Sequence, residues 1–302
     1  MRLILAAVSW LLLSLVLATG TAAQNGLDRF EKEVKPQFEL KSFTYAKAEP
    51  LGDAGFVLND VVAVVPANEA TGDKESTVKI EKVTVEALDF DRLKKDGDNT
   101  PRFAKLKLEG MTGDDELFTA LQPYGVPRAP FDLTLDYALD PATKVLDVKT
   151  LEIGMRGQAR LALSVVVDGI SDIAEAKDDG RVRKADLTID DKGLLARLVP
   201  AWAKEEKVEP KELVNTGLTL LAAFAAAQGP TTLKALDAVA SFVGDWQDPK
   251  GPLLLGIKPA KTASLADLDK LALPDALTND FGFTATYPGT RDGAAKAGAG
   301  AK

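Results

Sequence analysis

Cysteine and histidine are both missing from the 302 residues. Their absence excludes disulfides, thiolate and imidazole metal ligands, cysteine nucleophiles and every catalytic triad that uses histidine as base. Aromatic residues are few: three Trp and four Tyr, with Trp10 inside the first apolar segment, a poor stock for lining a sugar cleft. No Gly-x-Gly-x-x-Gly or Walker loop occurs to cradle phosphate. No Gly-x-Ser-x-Gly elbow occurs either, since Gly169-Ile170-Ser171 continues into Asp172 and Ile173. Neither Asn99-Thr100-Pro101 nor Asn215-Thr216-Gly217 forms a glycosylation sequon. Long apolar runs are scarce too, and one alone approaches membrane-spanning length.

That run, Leu3 to Ala18, follows Arg2 and precedes Thr19-Gly20-Thr21-Ala22-Ala23-Gln24. A positive residue, an apolar stretch and small residues at −3 and −1 read as a signal peptide over 1–23, cleaved after Ala23. Its sixteen residues, fourteen of them apolar, fall short of the about 20 that a spanning helix needs. The expectation is export to a bacterial periplasm, with no transmembrane segment in the mature chain and no lipoprotein cysteine. Removing Arg2 leaves the mature chain at a net charge of −9, which repels phosphate backbones and argues against nucleic acid as a partner.

What is present begins with Leu27, Phe30 and Val34, one face of a short helix that Pro36 ends. The period then changes from 3.6 to 2. Phe56 to Val65 is β-branched, and Val78, Ile80, Val83 and Val85 interleave with charged residues. Phe131 to Tyr137 alternates throughout, as do Leu161, Leu163, Val165 and Val167, then Ala185, Leu187 and Ile189. Such alternation marks antiparallel strands with one wet face and one face toward a core. Turn-forming stretches separate them: Asp96 to Asn99, Thr112 to Asp115, Asp140-Pro141 and Asp178 to Gly180. Lys82 to Glu86, Lys105 to Glu109 and Lys149 to Glu152 look alike, but their spacing is too uneven for a solenoid.

Near Asp190 the chain changes character. Asp191 can cap a helix with Leu194, Leu195, Leu198 and Val199, which Pro200 ends or kinks. Pro210 opens a second helix, carrying Leu213, Val214, Leu218, Leu221 and Phe224 as far as Gln228. Thr231 or Thr232 caps a third, with Leu233, Leu236, Val239, Ala240, Phe242 and Val243. Leu218 to Ala227 has no charge, so that helix is expected to be buried around most of its circumference. Charge divides here too: residues 24–190 hold 32 acidic and 23 basic side chains, whereas 191–302 hold 13 of each.

The resulting expectation is an α+β fold. A curved antiparallel sheet spans about 40–190, with late strands near 253–258 and 281–287, covered by a layer of two or three apolar helices over 191–245. In domain terms, 24–190 is a strand-rich acidic region, and 191–288 is a helical layer plus returning strands that joins it in one domain. Residues 289–302 are a disordered Gly/Ala/Lys-rich tail.

Two resemblances accompany this reading. The order Leu187 to Leu198, Pro210-Lys211-Glu212-Leu213, Asp248-Pro249 and Leu253 to Ala260 is similar to a domain of uncharacterised exported alphaproteobacterial proteins, over about 180–290. The strands with Leu106 to Met111 resemble, more loosely, the β-rich envelope proteins of the YdgA and AsmA kind, over about 55–170. The second resemblance implies an envelope-associated protein that handles lipid. Neither carries a catalytic motif.

Candidate chemistry is thin. Ser76-Thr77-Val78-Lys79 matches Ser-x-x-Lys, but it enters a strand, where the two side chains point to opposite faces. Asp89, Asp91, Asp96 and Asp98, then Asp114, Asp115 and Glu116, cluster without the spacing of a calcium loop. Apolar surface remains. Between sheet and helices either a filled core or an opening for an acyl chain is expected, with Leu218, Leu221, Phe224, Leu236, Val239 and Phe242 as candidate lining. The first functional expectation is a non-enzymatic envelope protein that binds lipid or another apolar ligand, with no cofactor and no metal. The alternatives are an interaction subunit of a periplasmic envelope assembly and a hydrolase using carboxylates alone.

Overall fold

The computed structural model describes residues 25–68, 73–93, 100–114, 116–173, 180–226, 228–264 and 276–289. The export segment, the Asp96 turn, Asp115, Asp178, Asp179, Ala227, the segment 265–275 and the tail beyond Gly289 lie outside the described residues. Among the described residues the chain divides into two compact units. One contains the residues up to Ala120 with Arg128–Leu139; the other contains Leu121–Pro127, Asp140–Ser171 and the residues from 180 onward. The change in composition near residue 190 thus falls inside the second unit.

The first unit carries β1 (Ser42–Thr44), β2 (Lys47–Leu51), β3 (Gly55–Val65), β4 (Ser76–Leu88), β5 (Phe103–Gly113) and β6 (Phe131–Asp140). All pair antiparallel: β1 and β2 both lie on β3, and β4, β5 and β6 follow. Phe56, Val85, Leu106 and Leu135 stand in one cross-strand row, and Leu58, Val83, Leu108 and Leu133 in the next. Phe56 and Leu58 are each 1% exposed. Their cover includes the N-terminal helical segment, α1 (Gly26–Arg29) continued by a π turn and a 3-10 turn to Gln37. Phe30 stacks on Phe56 with ring centroids 4.6 Å apart, so the face expected of Leu27, Phe30 and Val34 is realised.

The likeness among the Lys-to-Glu stretches has a physical reason in β4 and β5. Antiparallel pairing sets Lys82 opposite Glu109, and Lys105 pairs with Glu86 at 2.5 Å. A segment that begins with Lys and ends with Glu is complementary to an antiparallel copy of its own pattern. A short helix, α2 (Glu116–Thr119), follows β5.

The second unit carries β7 (Val145–Met155), β8 (Ala159–Asp168), β9 (Arg181–Asp191), β10 (Leu253–Ile257), β11 (Ala263–Ser264) and β12 (Thr284–Thr286). Their order is β7-β8-β9-β10-β12, with β11 also on β9. The late strands therefore return to the sheet near their expected positions. Helices α3 (Leu195–Glu206), α4 (Pro210–Ala225), α5 (Pro230–Gly244) and α6 (Ala276–Asn279) complete the unit.

Three helical details differ from expectation. Asp191 does accept from the Gly193 and Leu195 amides, both at 3.1 Å, but α3 continues through Pro200 to Glu206. Proline forfeits its own amide bond and crowds the carbonyl four residues back, a cost of about 3 kcal/mol that the burial of Leu198, Val199 and Ala203 on this helix offsets. Neither Thr231 nor Thr232 caps α5, because its N-cap is Gly229 without a side-chain bond. Thr232 instead lies 1% exposed, its hydroxyl bonded to that of Thr278 at 2.5 Å.

The largest difference concerns α4, which has no buried residue. It packs on α3 and α5 through a half-buried stripe of Leu213, Val214, Leu218, Leu221 and Phe224. Leu220 on its other side is 68% exposed. Lack of charge does not create cover; burial needs an element on both sides.

Candidate functional site

The apolar face of the second unit's strands is assembled by register. Ile153, Leu161, Ile189 and Leu253 form one row across β7 to β10. Leu151, Leu163, Leu187 and Leu255 form the next, extended by Ala285 on β12. Val148, Val165, Ala185 and Ile257 form a third. Bulges between Val148 and Leu151 and between Val166 and Val167 keep apolar side chains on this face where simple alternation would have turned them over. The opposite face is polar, with Arg160 paired to Glu152 at 2.8 Å and Lys184 to Asp186 at 2.6 Å.

Cover over these rows is uneven. Among the twelve β7–β10 positions only Leu253 is buried, at 3% exposure. The others are half-buried, apart from Leu161, which is 47% exposed. Helix α5 packs against β12 and β10. Thr284 and Thr286 on β12 are exposed while Ala285 between them is half-buried, so α5 lies on the Ala285 side. Phe242 meets Tyr287 edge-on at 5.4 Å. Tyr287 donates its hydroxyl to Asp245 at 2.8 Å and accepts the Lys250 amide at 2.8 Å; burial pushes its pKa up, and the bond to Asp245 adds to the rise. The helices thus cover the β10 and β12 end of this face, the paired Leu146 and Val167 are buried at its other end at 8% and 7% exposure, and Leu161 on β8 is left exposed between them. The helical layer expected across the sheet is narrower than the sheet.

The six residues singled out in the sequence lie on α4 and α5. Leu218, Leu221 and Phe224 are half-buried on α4. Leu236 and Phe242 on α5 are 6% and 5% exposed, and Val239 is half-buried. They belong to two helices packed on each other, and Phe242 also meets Tyr287 beside β12. The residues that leave apolar surface open, Leu161, Leu163, Leu187 and Ile189, stood in the sequence only as strand alternation.

Two depressions exist elsewhere. One of about 480 Å³ on the outer side of α4 is lined by Glu209, Lys211, Glu212, Asn215, Thr216, Thr219 and Leu220. The other, about 310 Å³, is lined by Glu31, Lys35, Pro36, Phe38, Leu40 and Phe43. Neither is lined by a sheet residue of the second unit.

The polar candidates are engaged in structure. Ser76 and Lys79 both lie in β4, three residues apart and so on opposite faces. Asp89 accepts the Arg102 amide at 3.0 Å, Asp91 pairs with Arg29 at 2.7 Å, and Asp114 accepts the Thr77 amide at 2.6 Å. Asp172 pairs with Arg92 at 2.7 Å. Among the described residues no group of three or more acidic side chains is placed to hold a metal ion. No described helix is long and apolar enough to cross a membrane.

No curated protein matches the chain. A family model described as "Uncharacterized protein" matches residues 131–288, a span that holds β6, all of the apolar rows and the four helices beside them. Since that match covers more than half of the 302 residues, the chain belongs to this family.

Proposed function

We propose that this protein is a non-enzymatic, exported envelope protein that binds the acyl chain of a lipid, or a similar apolar ligand, along the open β7–β9 face. The observation that supports it is the 47% exposure of Leu161 in the middle of an apolar row whose far end, Leu253, is 3% exposed. Apolar surface held in water forfeits about 25 cal/mol per Å². A contiguous patch of it is the usual mark of an interaction site.

Size favours a narrow ligand. From Leu161 to Val165 the strand advances about 13 Å, room for part of an extended acyl chain, before the buried Val167 ends the strip, and β7 to β10 span about 14 Å. The resulting strip is about 200 Å², well below the about 800 Å² that each partner of a stable protein complex contributes. A chain laid along β8 would satisfy Leu161, Leu163 and Val165 without asking for a wide partner. The export signal read at 1–23 would deliver the protein to the periplasm, where such lipids are at hand.

The test uses the mature chain after delipidation. Long-chain fatty acids and envelope phospholipids should raise its melting temperature, and short-chain analogues should do so much less. Leu161→Lys should remove that response while leaving the unliganded melt near that of the parent. A chain that gains no stability from any envelope lipid, and carries none through purification, would end the proposal.

A further inference from the structure

Between Glu212 and Lys234, twenty-one consecutive residues have no ionisable side chain, in a protein where 27% of residues are charged. Such a stretch ordinarily belongs to a core, yet α4 buries nothing. Leu220 is 68% exposed and Leu233, in the first turn of α5, is 36% exposed. Ala222, Ala223 and Ala226 are exposed as well. On the same helix Thr219 turns its hydroxyl back to the Asn215 carbonyl at 2.8 Å. That polar group is satisfied internally, as an apolar medium requires.

We infer that the connected ends of α4 and α5 dock on a lipid surface and seat Leu220 and Leu233 at the hydrocarbon boundary. Lipid fits better than a protein partner on two grounds. Protein interfaces draw their energy from Trp, Tyr and Arg anchors spread over about 800 Å² per partner; the exposed positions here are Leu, Ala and Thr. Hydrocarbon needs no anchors and rejects charge, and charge is what this stretch lacks. The contact lies on the bilayer and does not cross it, since α4 has 16 residues, about 24 Å, and no described helix qualifies as a span. With no Lys or Arg from 213 to 233, attachment does not depend on anionic lipid, unlike that of basic interfacial helices.

The inference is independent of the sheet face, and the experiment separates the two. The mature chain is floated with vesicles of zwitterionic phospholipid, with and without added anionic lipid and salt. The parent should float on both kinds of vesicle, with less than about a twofold change on adding salt. Leu220→Glu combined with Leu233→Glu should lower the vesicle-bound fraction at least about tenfold with the circular dichroism spectrum unchanged, and Leu220→Glu alone, at 68% exposure, should lower it with the thermal melt unchanged as well. Leu161→Lys should float like the parent. A parent that stays unbound, a double variant that floats undiminished, flotation only in the presence of other envelope proteins, or loss of flotation in Leu161→Lys would each overturn the inference. Floating without any response to acyl ligands would count against the sheet-face reading alone.

Discussion

Leu161→Ala and Leu253→Ala remove the same three carbons from one cross-strand row, and their costs should differ about threefold. The two residues flank Ile189 on β8 and β10, so the sheet, the face and the strand environment are shared. Leu253 is 3% exposed. Its truncation loses the full transfer term and leaves a cavity, which places it in the range of about 3–5 kcal/mol. Leu161 is 47% exposed, so about half of a transfer term of roughly 2 kcal/mol is at stake and no enclosed cavity forms; about 1 kcal/mol is expected. Urea unfolding monitored by circular dichroism reads both, provided the slope with denaturant stays constant across the set. Saturating acyl ligand at about 100 times its dissociation constant should add about 2.7 kcal/mol to the parent. If Leu161→Ala weakens binding about tenfold, its gain falls to about 1.4 kcal/mol. Equal costs for the two truncations would mean that something covers β8, and the binding face would have no basis.

Tyr137 is 8% exposed, and its hydroxyl donates to the Pro101 carbonyl at 2.8 Å. Burial first, and Asp89 second, push its pKa from 10.0 up to about 12. The native state therefore holds this proton more tightly than the unfolded chain. The associated stability is complete below about pH 10 and is lost as pH rises toward 12, about 3 kcal/mol in all. Tyr137→Phe should flatten the alkaline decline of the urea midpoint; an unchanged decline would contradict the assignment. Gly282→Ala should cost about 2 kcal/mol or more, because φ is +57° there and a methyl group would collide with the Lys258 backbone carbonyl. Gly157→Ala, at φ +73° with open space around it, should cost only about 1 kcal/mol, and denaturant melts of the two variants would show the difference. Thr232→Val breaks the buried bond to Thr278 and should lower stability by about 1–2 kcal/mol, read by thermal melts.

Strands were legible wherever one face was wet. Phe131 to Tyr137, Leu161 to Val167 and Ala185 to Ile189 alternate in sequence and lie in β6, β8 and β9, because one-sided solvation writes its period directly into residue choice. The late strands were legible as short apolar runs, Leu253 to Ile257 and Phe281 to Tyr287. What composition could not convey was how far a helix reaches. The uncharged run of α4 reads as core by hydropathy, yet its burial depends on neighbours that α3 and α5 supply on one side only. The candidate face was hidden more thoroughly. Leu161 and Leu253 are 92 residues apart, and nothing local states that they share a row or that cover ends between them. Bulges in β7 and β9 add to this, since each moves the alternation by one residue without a sequence mark.

The outer margins of both units are built from fragments. On β3, the three residues of β1 and the five of β2 divide the edge between them; in the second unit the outermost strand, β12, has three residues and runs into Pro288 and Gly289. Short, interrupted borders offer an incoming chain few consecutive amides to join. A protein that keeps leucines in contact with water has particular need of that, because lateral strand addition would turn a binding surface into the seed of a fibril. Fragmenting that margin lets the apolar side stay open, as the proposed ligand requires, while denying neighbours a place to zip on.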